Sequence, residues 1–170
     1  MSATNIITTV DGRLIDDLCQ HAHNTPRNRL NYNLHCLTDP YQRFVNAIHA
    51  KSYMRPHRHS DDETFIILEG SCAVLFFGDG GYLISVYILD RDKRNYIVDI
   101  PACVWHTLFT VVDDTVIFEA KAGPYVPTTA KEFAPWAPDE ADVEASEIFM
   151  NQWLKYIMII IGKGHFMNAT

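Results

Sequence analysis

PHRHSDDETFIILEG, residues 56–70, is the most informative stretch of the chain. It sets His57, His59, Glu63 and Gly70 in an HxHxxxExxxxxxG pattern. Side chains two apart on an extended strand project to the same face. His57 and His59 therefore both point inward if this segment belongs to a closed sheet. Glu63 has the same parity and enters from the start of the next strand, after a short turn at Ser60-Asp61-Asp62. A second segment, IPACVWH at 100–106, supplies Pro101 and His106. Three imidazoles and a carboxylate suit one borderline divalent cation, and the set accepts iron, manganese, nickel or zinc. Four donors leave positions free on a metal that takes five or six neighbours. Free positions separate reactive or ligand-binding centres from sealed structural ones.

On both sides of this stretch, short runs rich in Val, Ile, Phe and Tyr alternate with turn clusters. Segments 31–37, 43–49, 52–58, 64–70, 72–78, 82–89, 96–101, 106–112 and 115–121 read as strands. Turns fall at Thr38-Asp39-Pro40, Gly78-Asp79-Gly80-Gly81, Asp90-Arg91-Asp92-Lys93 and Asp113-Asp114. Many closely spaced strands predict an all-β sandwich or barrel. No helical segment interrupts residues 30–121, which argues against a parallel βαβ sheet.

Helices are expected at each end. Leu14, Ile15 and Leu18 fall at helical spacing within residues 11–23, with Asp11 placed to cap the start and Pro26 in the segment that stops it. Residues 122–140 carry Pro124, Pro127, Pro135 and Pro138 and read as a stiffened surface loop. A second helix is expected from about Pro138-Asp139-Glu140, packing Phe149, Trp153, Tyr156, Ile157 and Ile160 on the barrel. The tail GKGHFMNAT, with His165, reads as frayed.

The bulk properties agree with one domain. The chain has 170 residues, 48% of them hydrophobic and 21% charged, enough to bury a core without staples. A net charge of −7 without a Lys/Arg block argues against nucleic acid or an anionic membrane as partner. The run Tyr156 to Ile161 is far short of a membrane span. No secretory signal pattern is visible in MSATNIITTVDGR, and Cys19, Cys36, Cys72 and Cys103 form no CxxC pair. Reduced cysteines in the cytoplasm are the expectation.

The two histidine segments resemble the two cupin motifs. Together with TPRNRLNYNLH (25–35), YQRFVNAI (41–48), FEAKAGPY (118–125) and FAPWAPDE (133–140), they make the chain similar to the WbuC-type family of cupin-fold metalloproteins. The resemblance covers roughly residues 11–155. It implies a double-stranded β-helix, or jelly roll, with an N-terminal helical segment at 1–29, a cupin barrel at 30–125, and a loop and C-terminal helix at 126–170. It also implies a metal site at His57, His59, Glu63 and His106, a homodimer, and a part in O-antigen or surface-polysaccharide synthesis. The chain departs from the general pattern at Lys51, Cys103 and Thr110, where cupins often carry Gly, Gly and Asn. Glycine at 103 would suit a positive-φ turn. A thiolate donor at Cys103 is a further option.

Other polar residues are candidates for the pocket. Asn31, Asn33 and His35 share one strand face, and Arg55 shares parity with His57 and His59. These four, with Tyr125 at the mouth, are the candidate substrate-binding residues. Arg27, Arg29 and Arg43 are open between pocket and surface. Glu119 and Lys121, two apart on a strand, either pair with each other or serve as acid and base beside the metal. Trp105 has the opposite parity to His106 and is expected outside the pocket, with Trp136 anchoring the loop. His21 and His23 read as solvent histidines. Two functions follow: a metal-dependent isomerase, epimerase, lyase or oxygenase acting on a small sugar-like molecule, or a non-catalytic module whose metal organises a ligand pocket.

Overall fold

The computed structural model describes residues 7–128 and 130–162. His165 and the rest of the tail beyond Gly162 lie outside the described residues. Helix α1 spans Gly12–Ala22, and Asp11 caps it, its carboxylate accepting the Leu14 N–H at 3.0 Å. Ten strands follow: β1 (Arg29–Asn33), β2 (Tyr41–Ile48), β3 (His57–Arg58), β4 (Glu63–Glu69), β5 (Ser71–Phe77), β6 (Leu83–Asp90), β7 (Ile97–Ile100), β8 (Trp105–Thr110), β9 (Thr115–Ala122) and β10 (Glu132–Phe133). Helix α2, Val143–Gly162, closes the described chain.

The strands form two antiparallel five-stranded sheets, ordered β1-β2-β9-β4-β7 and β10-β3-β8-β5-β6. From β6 onward the chain passes back and forth between them, the connectivity of the expected all-β jelly roll. Burial follows the pleat. On β5, Cys72, Val74 and Phe76 face the space between the sheets, packing with Phe65, Ile67, Leu108 and Ile117. The alternate residues Ala73, Leu75 and Phe77 face outward and are covered by α2 through Met150, Ile157 and Trp153. This is why β5 is buried at every position. Helix α1 covers the other sheet, with Leu18, Cys19 and Ala22 against Val45, Ala47 and Val116. Trp105 and Trp136 both pack in the layer beneath α2, away from the space between the sheets.

Several boundaries differ from the sequence reading, among them β1, which ends at Asn33 and not at residue 37. The segment 52–58 pairs only at His57 and Arg58, because Pro56 has no N–H to give a ladder. The proline-rich stretch contributes β10, which pairs with β3. Helix α2 starts five residues past Pro138, because residues 139–142 build its cap: the Asp139 carboxylate accepts the Ala141 N–H and the Asp142 carboxylate accepts the Ala145 N–H. Tyr156, expected on the packed face, is 40% exposed, while Ile157 is fully buried. No described helix is long and apolar enough to cross a membrane.

Candidate metal centre

Cross-strand pairing aligns Phe133, His57, His106 and Phe76 in one row on one sheet. On the facing sheet, Gln42, Lys121 and Glu63 form one rung. Asn33, Phe44, Glu119 and Phe65 form the next. Asn31, Asn46, Ile117 and Ile67 form the third, and there the wall passes into the apolar core.

His57, His59, Glu63 and His106 are all buried, and each offers a donor atom within 4.8 Å of the others. His59 lies just beyond β3 and completes the set, its ring held by the Ala130 carbonyl. Each imidazole is oriented by its Nδ1. His57 donates to the Arg55 carbonyl at 2.9 Å, His106 to the Val104 carbonyl at 2.9 Å, and His59 to the Ala130 carbonyl. A carbonyl only accepts, so each Nδ1 carries the proton and each Nε2 turns a lone pair inward. The His106 Nε2 then faces Glu63 Oε2 at 2.9 Å, and the His59 Nε2 faces Glu63 Oε1 at 3.3 Å. Acceptors this close to a carboxylate call for a positive charge between them. Burial, helped by the Lys131 charge, pushes the His57 imidazole well below its usual range, so it stays neutral. The donor set therefore fits a divalent cation.

Lys121 and Glu119 sit beside this cluster and pair with each other, at 2.7 Å. Lys121 also reaches Glu63 Oε1 at 2.9 Å, and Asn46 donates to Glu119 at 2.8 Å. Burial tends to raise the Glu63 pKa, but its close contacts with the His106 and His59 rings and the Lys121 charge outweigh it and hold the carboxyl well below its usual range. Glu119 goes the other way. Burial and the Glu63 charge push it up to about 8, against the pull of Lys121. Burial alone would lower Lys121, but the Glu119 and Glu63 charges raise it instead.

A cavity of about 490 Å³ opens onto the cluster through His57 and Glu63. Asn31, Asn33, His35 and Tyr125 line it, together with Glu119 and Lys121. Tyr125 is 41% exposed at the rim. His35 lies past the end of β1, its Nδ1 set against the Arg43 backbone, 2.8 Å from the carbonyl oxygen and 3.0 Å from the nitrogen. Arg55 does not line the cavity, a correction to the parity argument. Its guanidinium bonds Asp139 at 3.0 Å and the Ala134 carbonyl at 2.9 Å, because β3 has not begun at residue 55 and parity does not yet apply. Cys103 is no donor: it is exposed, sits at φ +64°, and gives its N–H to the His59 carbonyl. His23 and His49 pair with Asp114 and Asp113, away from the site.

Sequence reasoning missed Gln42, Met54, Phe44, Lys131 and Phe133 on the cavity wall, and it left Asn46 without a role. Gln42, Phe44 and Asn46 alternate along β2 and were findable by parity. Lys131 follows a proline-rich loop with no periodicity to read.

A family model described as a domain of unknown function (DUF6016) matches residues 10–89. No curated protein sequence matches the chain. Among solved structures, the capsular polysaccharide assembling protein CapF from Staphylococcus aureus superposes with a TM-score of 0.52 at 21% identity, over 61% of this chain and 31% of that one. An oxalate oxidase in complex with the substrate analogue glycolate superposes with a TM-score of 0.50 at 13% identity, over 76% of this chain and 74% of that one. The fold is that of the cupins. This chain spans about a third of the length of CapF. At these identities the likeness establishes the cupin architecture, and the chemistry has to come from the residues at the barrel's end.

Proposed function

We propose that the protein is a metal-dependent cupin enzyme acting on a small polar molecule of the sugar or nucleotide-sugar type, in surface-polysaccharide synthesis. In this reading it is a WbuC-type cytoplasmic homodimer, with a barrel at 30–125 flanked by segments 1–29 and 126–170. The observation that carries the metal is the inward convergence of three Nδ1-tethered imidazoles on the Glu63 carboxylate. A divalent ion held there supplies Lewis-acid polarisation of a substrate oxygen. His57 and Glu63 form part of the cavity wall, so a ligand in the cavity reaches that end of the barrel. Asn31, Asn33 and His35 offer amide and imidazole groups to hydroxyls, and Tyr125 covers the mouth.

Glu119 and Lys121 are placed for proton transfer. Glu119, whose carboxyl burial and the Glu63 charge push up in the metal-free protein, is the acid–base group facing the cavity, while Lys121 stays cationic and balances Glu63. Polysaccharide synthesis is supported by the family resemblance and by the structural likeness to CapF, whose own role is capsular polysaccharide assembly.

The test is metal analysis of the purified full-length protein, followed by turnover and binding assays against sugar phosphates and nucleotide sugars. About one bound divalent ion per chain, with one panel member converted, is the expected result. Metal-loaded protein that neither converts nor binds any panel member overturns the enzymatic reading.

A further inference from the structure

We propose that the cavity carries an acid-group subsite, formed by Lys131 and Arg27, so that the ligand is a hydroxylated oxyanion carrying a carboxylate or a phosphate. The proposal rests on the reading of the cavity as the ligand site and adds the ligand's charge. The argument is one of partners. Four cationic side chains line the cavity. Two are neutralised: Arg29 is clamped by both oxygens of Glu140, at 2.7 and 2.8 Å, and Lys121 lies between Glu63 and Glu119. The other two, Lys131 and Arg27, make no ion pair and no side-chain hydrogen bond with any described residue. Lys131 is partly buried, with its Nζ over the Phe133 ring, 5.8 Å from the centroid.

A partly buried ammonium without a carboxylate is costly to keep. Here every carboxylate on the cavity wall is already engaged by another group: Glu63 and Glu119 by Lys121, Glu140 by Arg29. A divalent ion in the donor cluster adds positive charge to the same cavity. The missing countercharge is therefore supplied by a ligand. The rest of the wall fits such a molecule. Among the described residues the Asn31 and Asn33 side-chain amides hydrogen-bond only to each other, at 3.5 Å, leaving them available to hydroxyl groups. The volume of about 490 Å³ is in the range of small-molecule sites. A chain of net charge −7 thus keeps two cations without an ion pair among the described residues, Lys131 partly buried and Arg27 exposed, in a cavity that reaches the donor cluster through His57 and Glu63.

The test is isothermal titration of the full-length protein with inorganic phosphate and, separately, with D-glucuronate, each in metal-free and manganese-loaded samples. D-glucose is the uncharged control. The wild type is expected to bind at least one of the two anions and to bind it more tightly than glucose. The anion that binds tells phosphate from carboxylate recognition. Lys131→Met and Arg27→Met should each weaken it about tenfold, the usual weight of a charge-assisted contact. Arg91→Met, at an exposed ion pair away from the cavity, should leave it unchanged. Thermal unfolding separates a ligand role from a structural one: Lys131→Met should keep or raise the melting temperature, since it removes an unpaired charge. Failure of wild type to bind either anion, equal binding by Lys131→Met, or a melting temperature lowered by that change overturns the proposal. Anion binding that depends on Lys131 in the metal-free sample sustains it even if the protein retains no metal. Normal metal content without anion binding defeats it alone.

Discussion

Replacing Glu140 with alanine should destabilise the protein by about 3 kcal/mol, although the residue lies outside the barrel. Its two oxygens accept from Arg29 Nη2, and one also accepts the Arg55 N–H at 3.3 Å, so it ties the segment before α2 to β1. The side chains of Arg29 and Glu140 are 10% and 27% exposed. Burial already holds the Arg29 guanidinium below its usual range, against the opposing pull of Glu140. Removing the acid strands that guanidinium with only the Tyr53 carbonyl and the Ser52 hydroxyl as partners. Breaking a buried pair from one side costs about 3–5 kcal/mol, and the partial exposure of Glu140 places this case at the lower end. For a chain of this length that is a fall of about 6–12 °C in melting temperature. The assay is thermal and urea unfolding of the wild type, Glu140→Ala, Arg29→Met and the double variant. The double variant should be more stable than the sum of the single losses predicts, with a coupling of about 1–3 kcal/mol, because neither charge is then stranded. A loss below about 0.5 kcal/mol in Glu140→Ala, the level of an ordinary surface change, refutes the reasoning.

Replacing His59 with alanine should sharply lower the metal content of the purified protein; unchanged content by elemental analysis would reject His59 as a ligand. Glu119 sets a pH dependence in the metal-free protein. Its folded-state pKa of about 8 lies above the ordinary 4.5, so the stability it contributes is full below about 4.5 and is lost as the pH rises through 8. Melting temperatures measured in a chelator should fall over that window, and Glu119→Gln should flatten the fall. Cys36 and Cys103 are exposed, whereas burial pushes Cys19 up to about 11 and Cys72 up to about 12, so a thiol reagent should label two sulfhydryls in the native protein and four after unfolding. Cys103→Gly should raise stability by up to about 1 kcal/mol by relieving a left-handed residue, read out as a higher melting temperature with unchanged metal content.

The alternation of side chains carried most of what could be read beforehand. His57, His59 and Glu63 share parity, and the pleat does bring them together with His106, which pairs directly with His57 across β3 and β8. The same rule found Asn31 and Asn33. It failed at Arg55, which precedes β3 and turns out to Asp139. It said nothing of Lys131, because a proline-rich loop has no period from which a direction can be inferred. The late start of α2 had a local cause: Asp139 and Asp142 spend their carboxylates on capping turns, and Glu140 is drawn away to Arg29. Long-range ion pairs of this kind leave no trace in local sequence pattern.

The loop ahead of β10 joins the two halves of the site. The Ala130 carbonyl receives the His59 Nδ1 proton and so fixes which nitrogen His59 turns inward. The next residue, Lys131, brings an unpaired cation to the cavity that His57 and Glu63 line. Phe133, two residues further, pairs with His57 through β10 and β3 and packs against its ring at 6.3 Å. One short stretch of backbone thus orients one imidazole, flanks a second and supplies the positive side of the cavity. Its placement depends in turn on the following segment, which Arg29 and Arg55 hold through Glu140, Asp139 and Ala134. Arg55, turned away from the cavity, and Arg29, paired with Glu140 at its wall, are the struts that hold the loop in position, and the geometry of the donor cluster depends on ion pairs that never touch it.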